Sequence, residues 1–284
     1  MHGTRDDHLI ARKFADPDQT AHGERRARVA LRKLETLWIN TGTLCNIECV
    51  NCYIESSPTN DRLVYFSAED ARAVYDEIAE LQLGTREIGF TGGEPFLNPD
   101  MIDMAREALA RGFEVLILTN AMQPMQRPRV KDGLLALQRE HGARLTLRVS
   151  MDHYMPEYHD TERGPGSFIK SRDGLDGLSQ NGFTVSIAGR TMWDEPEADA
   201  RYGYARLIAE RGWPIDARDP SQLVLFPEMD EKADVPEITE ACWGILGKSP
   251  DSVMCASSRM IVKRKGAKEP TVLPCTLLPY DRAF

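Results

Sequence analysis

The sequence predicts an α/β fold organised around a parallel sheet, followed by a smaller α+β segment. Two observations carry this. Six short β-rich runs alternate with five helix-like stretches between residues 36 and 228, the pattern of repeated βαβ units. After about residue 230 that rhythm stops and a hairpin pattern replaces it. The expected organisation is an N-terminal extension over 1–35, a βα core over 36–230 and a small C-terminal module over 231–284.

The elements follow in order. "GERRARVALRKLE" (23–35) has the spacing of a short amphipathic helix. The strands are "TLWINT" (36–41), "REIGFT" (86–91), "FEVLILTN" (113–120), "RLTLRVSM" (144–151), "FTVSIAG" (183–189) and "QLVLF" (222–226). "VLIL" is apolar without alternation, as for a strand covered on both faces. Helical stretches are expected at 67–82, 99–112, 129–142, 167–182 and 197–212. Ser67 ahead of Glu69 and Asp70 is an N-cap signal, and Gly112, Gly142, Gly182 and Gly212 stand where helices stop. "RMIVKRKGAKEPTVLPC" (259–275) reads as a hairpin turning at Gly266. Parallel βαβ units wind either as an open sheet or as a full or partial barrel, and in both the functional loops follow the C-terminal ends of the strands.

The 284-residue chain has a formal net charge of −9, which disfavours nucleic acid or an anionic membrane surface as partner. No apolar run approaches the ~20 residues of a membrane span. The charged N-terminus has no apolar core of a secretory signal, so a cytoplasmic address is expected. In that reducing setting, six cysteines read as ligands or catalytic thiols rather than as disulfides.

The special residues fall on one rim. Cys45, Cys49 and Cys52 follow the first strand and "GGEP" (92–95) the second. Asn120 ends the third, Ser150 and Asp152 the fourth, and Arg190 the fifth. His153, Tyr154, Tyr158 and His159 crowd the loop after the fourth strand as candidate pocket residues. Three thiolates within eight residues suit one soft metal centre, zinc or an iron–sulfur cluster, with one coordination position left open. The competing reading is a non-catalytic iron–sulfur electron carrier or a zinc-stabilised binding protein. Glycines allow close backbone approach, and Glu94 offers a carboxylate to an ammonium group.

C-x3-C-x2-C after the first strand, paired with "GGEP" after the second, resembles the radical S-adenosylmethionine (radical SAM) superfamily over roughly residues 36–228. The resemblance implies a partial (β/α)6 barrel. It implies that Cys45, Cys49 and Cys52 hold a 4Fe–4S cluster whose fourth iron is chelated by SAM. It places Gly92, Gly93 and Glu94 at the methionine amino group, Asn120 among the cofactor contacts, Ser150 and Asp152 at the ribose, and Arg190 at the SAM carboxylate. One departure stands out: the family's aromatic residue before the third cysteine is Asn51 here, and Tyr53 follows instead. Cys242, Cys255 and Cys275 resemble a shortened auxiliary-cluster module called twitch, which typically has four cysteines. The resemblance further implies a peptide or small-molecule substrate and a reductant such as flavodoxin or ferredoxin.

Overall fold

The computed structural model describes residues 13–227 and 233–283. The chain divides into two compact units, one of residues 1–34 and 229–258, the other of 35–228 and 259–284.

The larger unit is a sheet with helices on one face. Its parallel strands are β1 (Thr36–Asn40), β2 (Glu87–Thr91), β3 (Glu114–Thr119), β4 (Leu145–Ser150), β5 (Thr184–Thr191) and β6 (Leu223–Pro227). They lie side by side in chain order, and each pairs in parallel with the next. The connecting helices are α1 (Ala68–Glu80), α2 (Met101–Ala110), α3 (Gln123–Gln126), α4 (Pro128–His141), α5 (Pro156–Arg163), α6 (Ser167–Gln180) and α7 (Glu197–Arg211). This is an open (β/α)6 arrangement, a barrel that does not close.

Register explains why the two faces differ. One row crosses the sheet as Ile39, Phe90, Ile117, Leu147 and Val185, each paired with the next and all buried. The neighbouring row is Trp38, Gly89, Leu116, Thr146 and Thr184, so alternate residues point into the concave side. β4 shows the result plainly: Leu145, Leu147 and Val149 are buried, while Thr146, Arg148 and Ser150 are half-buried on the other face. Helices cover the apolar face; the inner face is mostly small or polar.

Local signals act as expected at several ends. Ser67 caps α1, its hydroxyl accepting from the Asp70 N–H at 3.1 Å while the Asp70 carboxylate accepts from the Ser67 N–H. Gly212 ends α7 in the left-handed region at φ 66°. Helix α5 lacks a long apolar stripe and was not expected.

Two expectations are corrected. Residues 23–35 form no helix. Their backbone groups are taken by pairing elsewhere in the smaller unit, with bridges Gln19–Arg25 and Arg26–Thr239 and the Ala27 N–H donating to the Ile238 carbonyl at 2.9 Å. The 231–284 segment is not one module either. Its first half, which includes α8 (Ala241–Leu246), belongs to the smaller unit. Its second half is the predicted hairpin, β7 (Ser258–Val262) and antiparallel β8 (Thr271–Leu273), and β7 joins the main sheet beside β1. Pairing there covers an edge that β1 would otherwise expose. Met260, Val262 and Leu273 bury a cluster with Leu63, against which Trp38 packs.

Trp38 also leans on Gly89, where an added Cβ would stand 2.5 Å from its ring. Gly89→Ala is therefore expected to lower stability by about 1–3 kcal/mol through overpacking, read as a reduced midpoint in urea unfolding.

Candidate active site at the C-terminal rim

The rim is assembled by a close approach of two loops. The Gly93 N–H donates to the Gly42 carbonyl at 2.8 Å, and the Glu94 N–H donates to the Leu44 carbonyl at 3.1 Å. A Cβ on Gly93 would fall 2.1 Å from the Leu44 oxygen, and one on Gly92, at φ 141°, would fall 2.5 Å from the Gly42 oxygen. The two glycines thus serve contact with the chain's own cysteine loop.

Glu94 is the hub of the rim. It is buried, and its carboxylate accepts from the Asn120 N–H at 2.8 Å, the Thr119 hydroxyl at 2.8 Å and the Phe96 N–H at 3.2 Å. Asn120 in turn donates its side-chain amide to Asn46, inside the cysteine loop, at 2.9 Å. Burial pushes Glu94 up to about 7, against these hydrogen bonds, which favour the anion. An ammonium group arriving here would draw it back down.

The far side of the cysteine loop is held by α5. Glu162 accepts from the Asn51 amide at 2.9 Å, and its carbonyl accepts from the Val50 N–H at 2.9 Å. Arg190 donates to the Asn51 carbonyl at 2.7 Å and lies 3.5 Å from Asp152. Asp152, buried, is gripped by Arg163 through two bonds of 2.6 and 2.9 Å. Burial opposes both charges, and their mutual attraction outweighs it, so Asp152 is lowered and Arg163 raised. His159, held down at about 4 by burial and by Arg163, is neutral, and its Nδ1 accepts from the Asp152 N–H at 3.2 Å.

The three thiols lie inside this frame. All are free, with Cys45 buried and Cys49 and Cys52 half-buried. Burial pushes Cys45 up to about 12, and it raises Cys49 against the pull of Arg163. The three lie within eight residues of one loop, held on one side by Glu94 and Asn120 and on the other by Glu162. Thiols this desolvated stay protonated until a cationic centre takes the proton's place, as ligation by iron does. Among the described residues no three His, Cys, Asp or Glu side chains crowd closely enough to hold a single metal ion. Three loop thiols fall one short of the four protein ligands of structural zinc and suit a centre that keeps one position open.

The structure brings the cysteines, Gly92, Gly93, Glu94, Asn120, Asp152 and Arg190 into one network, with Ser150 at the end of β4. The sequence reading missed Thr119, Glu162 and Arg163; only their positions next to a strand end or on an uncapped short helix marked them. His153 is buried against Glu195, Tyr154, Tyr158 and Trp193. Cys242 and Cys255 belong to the smaller unit and Cys275 to the larger.

A βα half-barrel with three rim cysteines bound to a glycine loop defines a class of metal-cluster enzymes. The sequence profile of the radical SAM superfamily matches residues 39–200, and the chain belongs to that family. It is similar to the antilisterial bacteriocin subtilosin biosynthesis protein AlbA of Bacillus subtilis, 29% identical over 155 residues, covering 53% of this chain and 32% of AlbA. It is also 30% identical over 140 residues to the mycofactocin maturase MftC of Mycolicibacterium smegmatis, covering 49% of this chain and 33% of MftC. The matches thus span about a third of these relatives' length. Among solved structures, Streptococcus suis SuiB bound to S-adenosylmethionine aligns with TM-score 0.64 at 12% identity, over 89% of this chain and 63% of SuiB. That likeness confirms the fold.

Glu94→Gln tests the hub. The amide replaces one accepting oxygen, leaving a buried donor unpaired at about 1–3 kcal/mol. The pH dependence has a definite sign. Because folding raises this carboxyl from 4.5 to about 7, its contribution is fully present below about 4.5 and is lost as pH rises through 7. Urea unfolding between pH 5 and 8 should show that decline in wild type and its absence in Glu94→Gln.

Proposed function

We propose that this chain is a radical SAM enzyme that reductively cleaves S-adenosylmethionine and modifies a peptide. The reading is carried by the three-cysteine loop, clamped between the Gly92–Glu94 loop and α5, at the one rim where strand ends converge. Cys45, Cys49 and Cys52 would hold a 4Fe–4S cluster, leaving one iron for SAM. Bound there, the cluster would supply the electron for reductive cleavage of SAM and with it the radical chemistry on the substrate.

The chain's own groups serve this in distinct ways. Glu94 has spare acceptor capacity on Oε2, which takes one donor, and so can receive the methionine ammonium. Asp152 and Arg163 neutralise each other, which keeps a rigid polar floor beside Cys49 without adding net charge to it. Ser150, on the concave face, and Arg190, at the end of β5, are assigned to the SAM ribose and carboxylate.

A peptide substrate is supported by the relatives' names, AlbA in bacteriocin biosynthesis and MftC as a maturase, and by SuiB having been crystallised with precursor peptide SuiA. The electron donor is assigned to a flavodoxin or ferredoxin. A cytoplasmic setting suits six free thiols, and no helix among the described residues is long and apolar enough to cross a membrane.

Replacing Cys45, Cys49 or Cys52 singly with alanine should abolish 5′-deoxyadenosine formation under dithionite. Chromatographic quantification reads the outcome, and near-wild-type yield from any one variant would refute the assignment.

A further inference from the structure

The concave face of the half-barrel holds two opposite charges that the proposed chemistry does not use. Glu87 opens β2, and Arg148 lies mid-way along β4. Both line one cavity of about 210 Å³ at the N-terminal end of the barrel, together with Thr146, Ser186 and Gln222. Arg148 sits two residues before Ser150 on the same face, so it lies ~7 Å deeper than the rim end of β4. The cavity is thus well away from the cysteine loop.

The charges share a cavity without pairing. Each is felt by the other, yet they form no ion pair. Glu87 accepts only from the Thr36 hydroxyl, at 3.1 Å on Oε1. Arg148 donates Nε to Ser186 at 3.1 Å and Nη2 to the Ser221 carbonyl at 3.2 Å. Among the described residues, Oε2 of Glu87 and Nη1 of Arg148 have no hydrogen-bond partner. Arg86 and Glu114, at the starts of β2 and β3, are the other charges acting on Glu87. Partly desolvated opposite charges ordinarily pair, because each then offsets the other's lost hydration. Two opposite charges that line one cavity without pairing leave it able to take a ligand that answers both.

We propose that this cavity binds a small zwitterion, with Glu87 taking its ammonium group and Arg148 its carboxylate. A simple anion would meet Arg148 but bring like charge towards Glu87, and a simple cation the reverse. Only a ligand with both charges answers both walls. The volume is below the range of about 300 Å³ and upward typical of drug-sized ligands, which leaves amino-acid-sized molecules. Thr146, Ser186 and Gln222 add hydroxyl and amide contacts suited to such a polar guest.

The test is isothermal titration of the 284-residue, iron-reconstituted protein without SAM. The probes are glycine, β-alanine and 4-aminobutyrate, with acetate and methylammonium as single-charge controls. Expected is saturable binding of at least one zwitterion and of neither control. Glu87→Gln and Arg148→Met, each verified as folded by circular dichroism, should weaken it roughly tenfold or more. No zwitterion binding by the wild type, equal binding of acetate, or undiminished binding by either folded variant would overturn the proposal. SAM cleavage is not read in this experiment, so its failure leaves the radical assignment standing, and the reverse holds too.

Discussion

Everything at the rim depends on how closely the loop after β1 approaches the loop after β2. Two backbone hydrogen bonds join them, from Gly93 to Gly42 and from Glu94 to Leu44. The separation is so short that a methyl group on Gly93 would stand 2.1 Å from the Leu44 carbonyl oxygen, well inside contact distance. That approach positions the cysteine loop from one side, and α5 positions it from the other through Glu162. A loop so held can present three thiols without a fourth, because its shape does not rely on the metal to close it.

Electrostatics then sets what the loop accepts. Burial keeps Cys45 and Cys49 protonated, so bare thiolates do not persist there. Glu94 is likewise pushed towards the neutral form. A cationic cluster and a ligand ammonium each relieve one of these penalties. Asp152 and Arg163 keep their charges by pairing with each other, with Arg190 3.5 Å from the same carboxylate. The site is poised for cationic guests rather than pre-charged.

Much of this was legible in the sequence. The β-rich runs placed all six parallel strands to within one or two residues, because strands covered by helices concentrate apolar and β-branched residues, as in Val115, Leu116 and Ile117 of β3. The cysteine and glycine motifs were readable as local spacing. That the glycines also contact Gly42 and Leu44 was not, because that is a tertiary relation with no local signature. Arg163 was invisible for the same reason, since its partner Asp152 is eleven residues away and its eight-residue helix has no long apolar stripe. The 23–35 stretch misled because helical spacing there competes with long-range bridging to Thr239. The C-terminal hairpin was recognised, but its role as a neighbour of β1 was not, since edge pairing is decided by which strand is left open.

The central claim is that one iron of the cluster lacks a protein ligand and that SAM fills the place. Electron paramagnetic resonance of the dithionite-reduced protein, recorded with and without SAM, addresses this directly. A reduced 4Fe–4S signal whose shape and g-values shift on adding SAM is the predicted result. A cluster signal indifferent to SAM, or a protein that carries zinc and gives no such signal, would contradict it.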